Sequence, residues 1–177
     1  MLEDYWLKEI IDQHASSLGT KLGGAAADVF SNRLQEIYAQ EPDAPSWLSR
    51  PSIEDSDQNH QWHEAENRFV EGLRETLLAW INVDPDAGGK YVNELLRSNF
   101  GVLERIGIYT LNVRFNALRA YLSNSLQQKF FDSEHLHELH ALLRIHFKNF
   151  TDAEKTMVLT AIKSLPLPDR EEHSARI

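Results

Sequence analysis

Between Phe100 and Phe115 the chain reads FGVLERIGIYTLNVRF, and apolar side chains fall on nearly every side of it. Glu104, Arg105, Asn112 and Arg114 are the main polar breaks. A surface helix shows one apolar stripe, whereas a helix that is apolar around most of its circumference has to be covered on several sides. Gly101 and Gly107 add places where a neighbouring backbone can come close. The segment is therefore expected to be the central helix of an all-α array. Residues 109–115 also alternate apolar and polar with period two, as a half-buried strand does. A lone strand among helices would leave its backbone groups without a ladder partner, and no second convincing strand is present. Helix is the expectation.

The rest of the chain supplies what could pack around it. Tyr5, Trp6, Ile10, Ile11, His14 and Leu18 recur at helical spacing over residues 3–18, with Gly19 in the usual stop position. A second helix is expected from about Gly23 to Gln40, ended by Pro42 and Pro45. Residues 41–62 form a long, polar, proline-marked connection, with Trp47, Leu48 and Ile53 as apolar anchors and a short helix expected from Ser52. From His63 to about Val83 a helix carries Phe69, Leu73, Leu77 and Trp80 in one row. Asp84-Pro85-Asp86 then fits an N-cap, a first-turn proline and an acid at the positive helix end. Tyr91, Val92, Leu95 and Leu96 continue that helix to about Ser98, and Ser98 or Asn99 is expected to cap the central one.

Beyond the central helix, a short helix is expected over Ala117–Leu126, then one from Asp132 or Ser133 to about Asn149. Thr151-Asp-Ala-Glu154 matches a capping box and opens a last helix that ends before Pro166 and Pro168. The resulting organisation is a helical pair over 1–40, the connection 41–62, stacked helices over 63–166 and a tail over 167–177. The pairs 63–83 with 86–98 and 132–149 with 151–165 read as stacked αα-hairpins, a HEAT- or TPR-like irregular helical array. A compact helical domain without repeats is the competing architecture. The tail offers Asp169 as a cap for only about eight residues, below the length stable alone. It therefore reads as the start of a helix cut from a longer chain, or as a frayed end.

Composition narrows the function. The 177 residues carry a net charge of −9 and no cysteine, which removes disulfides, thiol catalysis and Cys-ligated zinc. Residues 1–62 hold 11 acids against 4 bases, and residues 63–177 hold 16 against 14. Neither part has the clustered Lys and Arg that a phosphate backbone requires, so nucleic acid is not the expected partner. There is no signal peptide or bilayer-length apolar run, so a cytoplasmic protein away from membranes is expected.

Searches for reaction chemistry find little. Gly88-Gly89-Lys90 lacks the upstream glycine of a phosphate loop and has Tyr91 where Ser or Thr would hold magnesium. His60, His63, Glu64 and Glu66, or His137 and His140 with Glu134 and Glu138, are candidate metal sets, though neither matches H-E-x-x-H. Exposed histidines on polar helix faces explain both sets equally well. Trp6 and Trp80 sit at helical spacing and read as core. Trp47 and Trp62, in or beside the long connection, are the candidates for contact with a partner.

Two stretches carry a resemblance. One is Trp47-Leu-Ser-Arg50-Pro51-Ser-Ile53-Glu54, followed by Gln58-Asn59 and a long helix ending in an acid-proline step. The other is residues 130–166. Together they resemble the α-helical solenoid regions of large bacterial multidomain proteins of the STAND NTPase and SIR2-like anti-phage kind. That resemblance implies a non-catalytic sensor or scaffold segment that binds protein and needs no cofactor, with effector and ATPase modules elsewhere. It marks Arg50, Pro51, Ile53 and Glu54 as a structural signature, and Arg50 and Glu54 join Trp47 and Trp62 as the four candidate binding residues. Arg50 and Glu54 lie four apart, and an ion pair fastening the connection is expected between them. Two alternatives stand beside this reading: a metal-dependent hydrolase built on the histidine clusters, and a stand-alone adaptor that oligomerises through an apolar face.

Overall fold

The computed structural model describes residues 2–41, 44–56, 59 and 65–166, with the side chains of 2–5 and 65 left aside. Among these residues every regular element is helical and none is a strand. In chain order they are α1 (Leu2–Leu22), α2 (Gly24–Tyr38), α3 (Ser46–Ser49), α4 (Ala65–Val83), α5 (Pro85–Leu95), α6 (Gly101–Val113), α7 (Phe115–Leu118), α8 (Leu122–Ser125), α9 (Leu136–His146) and α10 (Asp152–Lys163). Tight 3-10 turns at Arg119–Tyr121, Gln128–Phe131 and Phe147–Asn149 join the later helices.

The central helix is α6. Val102, Leu103 and Ile106 on one side enter a core shared with α1, α2, α4 and Ile53. Ile108 and Leu111, roughly opposite at 100° per residue, enter a second core with Val92, Leu118, Leu122, Phe130, Leu139 and Phe150. Residues 109–113, where the period-two pattern competed, are helical because α6 is covered on both sides and pays no cost for apolar residues all round.

Around α6 the packing follows small residues. The most extensive contact is α1 on α4, reached where a Cβ on Gly19 would lie 2.2 Å from the Thr76 carbonyl oxygen. Gly19 is thus not a helix stop. It is a contact point within α1, and the break comes at Gly23, whose φ of +53° suits glycine. The Trp80 ring closes over that corner and meets Tyr91 edge-on, with centroids 5.6 Å apart. Gly88 and Gly89, in the first turn of α5, are buried against Ile81 and the Tyr121 ring, so that turn is a packing surface.

Several local expectations hold. Asp84 accepts the Ala87 N–H at 3.0 Å with Pro85 following it. Thr151 and Glu154 form the reciprocal capping box, and Arg119 donates twice to the same Glu154 carboxylate at 2.6 Å. That guanidinium, ahead of the opposing burial and helped by the Thr151 N–H, holds Glu154 down to about 2. Other expectations change. Phe100, not Ser98 or Asn99, is the N-cap of α6, while Ser98 Oγ accepts the Phe100 N–H at 3.1 Å. The short helix of the connection is α3, ahead of Ser52. The α4–α5 hairpin forms as expected, but α9 lies along α6, and α10 comes nearest the 128–131 turn. Trp6 is 60% exposed rather than core, and the tail from 167 lies outside the described residues.

Candidate functional site

A charged residue on a helix covered on both sides must find a partner or lose its charge. Arg105 of α6 does find one: its side chain is 0% exposed and Glu138 of α9 opposite it is 1% exposed. Nε donates to Glu138 Oε2 and Nη2 to Oε1, both at 2.9 Å. The remaining donors turn to the connection. Nη1 reaches Ser46 Oγ at 3.1 Å and the Arg50 carbonyl at 2.8 Å, and Nη2 reaches the Pro51 carbonyl at 3.0 Å. Glu138 Oε1 also accepts the Ile53 N–H at 3.0 Å. One ion pair therefore ties α6, α9 and residues 46–53 together.

The connection fastens itself on its other side. Arg50, also buried, donates Nε to the Ser52 carbonyl at 2.9 Å and Nη1 to the Asn67 carbonyl and to Glu71 Oε1 at 3.2 Å. Burial pushes its guanidinium below the usual arginine range, and Glu71 opposes that shift. The expected Arg50–Glu54 pair does not form. Residues four apart face one another on a helix, but Arg50 is extended at φ −133°, ψ 93° and the chain stays non-helical through Glu54. Glu54 is instead exposed and stands 3.4 Å from His137 Nε2. Asn59 closes the loop, accepting the Ser52 N–H and donating to the Ser52 and Glu54 carbonyls. Trp62, the fourth residue singled out from the sequence, lies outside the described residues, as do His60, His63 and Glu64.

A second buried charge cluster adjoins the clasp. His135 places Nδ1 2.7 Å from Asp132 Oδ1 and Nε2 2.9 Å from Glu104 Oε2, while Lys129 also contacts Glu104. The Phe130 ring meets the imidazole edge-on at 5.0 Å. Two carboxylates facing both ring nitrogens favour the imidazolium, since each nitrogen then donates. Burial lowers the His135 pKa, but the Glu104 and Asp132 hydrogen bonds outweigh it and the net direction is up. A histidine whose pKa rises on folding stabilises the fold below its unfolded value and loses that contribution as pH climbs through the folded one. Urea unfolding midpoints should therefore fall as pH rises above the ordinary histidine value of about 6.5, with a shallower fall in His135→Gln. Equal slopes in the two proteins would show that His135 carries no such charge.

His137 donates to or accepts from Ser52 Oγ at 3.1 Å, and His140 is exposed. Among the described residues no three His, Asp or Glu side chains converge as a metal-holding group.

On α3 the clasp presents apolar side chains outward. In α3, Ser46 faces in, donating its N–H at 3.1 Å and its hydroxyl to Glu134, and Ser49 meets the Tyr38 hydroxyl at 3.1 Å. Trp47 and Leu48, between them, point out at 38% and 53% exposure. Two hollows flank this helix and share the wall Tyr38, Glu41, Ala44 and Pro45. One, of about 380 Å³, reaches Gly101, Glu104, Glu134 and His135. The other, of about 440 Å³, reaches Ile37, Leu48 and Glu66. Burial, working against the Ser49 hydrogen bond, pushes the Tyr38 phenol up to about 12, so the shared wall stays neutral there.

No protein-family model, no curated protein and no solved structure matches this chain. The sequence points to Trp47 and Arg50 but not to Arg105, Glu138 and His135 as a set. The available signal was Arg105 itself, with Glu104 one of two adjacent charges in a helix whose other residues are mostly apolar.

Proposed function

We propose that this chain is a non-catalytic interaction or scaffold segment, an irregular helical-repeat array of the HEAT or TPR kind that binds a protein partner in the bacterial cytoplasm. Its setting in this reading is a multidomain protein of the defence type that its sequence resembles. The observation that carries the proposal is the outward Trp47–Leu48 pair on a base held by Arg105, Glu134 and Tyr38. A four-residue helix has no stability of its own, so its order is supplied by those bonds. Anchors ordered in advance lose little entropy on binding, and tryptophan is among the residues that most often dominate an interface.

The test is recovery of a partner from cells of the source organism, followed by direct binding of the purified pair. Trp47→Ala with Leu48→Ala is expected to weaken binding at least about 30-fold, the equivalent of about 2 kcal/mol, while the fold is kept, as read by an unchanged far-UV circular dichroism spectrum and a cooperative unfolding transition. Undiminished binding by the double variant would overturn the reading.

A further inference from the structure

The hollows beside α3 differ from the rest of the clasp in how their charges are met. Glu104 has Lys129 and His135 as partners, and Glu138 has Arg105. Glu134 is held only by the neutral N–H and O–H of Ser46, and no Lys, Arg or His among the described residues pairs with it or with Glu41. Both carboxylates line the hollow of about 380 Å³, and Glu41 lines the neighbouring one as well. Among the described residues no lysine or arginine lines either space. The first space is also lined by Glu104 and His135, which are already paired with each other, and the second by Glu66; Tyr38, Ala44, Pro45, Phe100 and, on the outer side, Leu48 supply the apolar or neutral wall. The spaces are of the size that takes a side chain or small ligand rather than a helix.

We propose that these two hollows receive an extended, basic segment of a partner protein. A Lys or Arg of that segment meets Glu134 and Glu41, and an adjacent apolar side chain lies along Tyr38, Pro45 and Leu48. Charge complementarity selects this occupant. Two carboxylates with no ion-pair partner among the described residues, set in concave walls that add further carboxylates, favour a guanidinium or ammonium and disfavour an acidic segment. The fixed polar base beneath α3 keeps the two walls in register, so the recognition is of a chain laid across the Pro45 ridge. The inference rests on the interaction reading above and supplies the chemistry of its partner.

Panning a random 12-residue peptide display library against the intact protein tests it. The expected result is enrichment of sequences that pair Arg or Lys with an apolar residue. The best such peptide should bind about tenfold more weakly to Glu41→Gln/Glu134→Gln, in which the amide at 134 still accepts from Ser46, and more weakly as salt rises from about 50 to about 300 mM. Enrichment of peptides without basic residues, no enrichment, or equal affinity for the glutamine variant would overturn the proposal. The partner experiment separates the two failures. A partner lost with the Trp47 and Leu48 substitutions but kept with the glutamine pair leaves the interaction reading standing and removes this one, whereas a partner kept by both variants removes both.

Discussion

Arg105→Ala is expected to lower stability by about 3–5 kcal/mol, because it leaves the Glu138 carboxylate buried without its countercharge. For a protein of this size that corresponds to a drop of roughly 10 °C in unfolding temperature. The side chains at 0% and 1% exposure allow water no easy substitute for the lost guanidinium. A companion variant separates a simple ion pair from a clasp. Replacing a buried pair by apolar residues of similar volume is often neutral. Here Arg105→Met with Glu138→Leu would still strip donors from the Arg50 and Pro51 carbonyls and the acceptor from the Ile53 N–H. The double variant should therefore remain destabilised, and protease cleavage within residues 44–56 should become faster. An unfolding temperature within about 2 °C of the wild type for Arg105→Ala would refute this account.

Gly19→Ala carries the other large effect, and here two forces have opposite signs. In an exposed helix interior the change would stabilise by about 1 kcal/mol, since alanine has the better helix propensity. At this position the new methyl would sit 2.2 Å from the Thr76 carbonyl oxygen and 2.9 Å from its carbon and Cα. Those are backbone atoms of α4 and cannot rotate away. Overpacking of this kind costs about 1–3 kcal/mol or more, so packing wins and the net change is a loss of about 2 kcal/mol. Gly88→Ala is the control, because its nearest neighbour at 2.6 Å is Ile81 Cγ1, a side-chain atom able to shift. Thermal unfolding should rank Gly19→Ala well below Gly88→Ala, and a rise in stability for Gly19→Ala would show that α1 and α4 are not in close contact.

The two expectations illustrate what was readable in advance. Residues 101–113 announced a helix covered on several sides, and α6 does lie between two cores. The Asp84-Pro85 start and the Thr151–Glu154 box were legible because each is made by residues within one turn of one another. Gly19 shows the limit. A glycine after an amphipathic run fits a helix end and a close helix contact equally well, and the presence of Thr76 decides between them.

The site was legible only in outline. Arg50 is a fastening residue as its place in the connection suggests, but it takes Glu71 in place of Glu54, and Trp47 is partly exposed. The spacing rule assumed a helix that residues 50–54 do not form. The sequence by itself determined the helical class, the position of the central helix and the caps at Asp84 and Thr151, because these depend on neighbours within a few residues. Tertiary structure alone decided that Arg105 meets Glu138 thirty-three residues away and that the connection is tied beneath α3. A buried charge requires a partner but carries no information about which one, and that choice is made only when distant segments are brought together out of water.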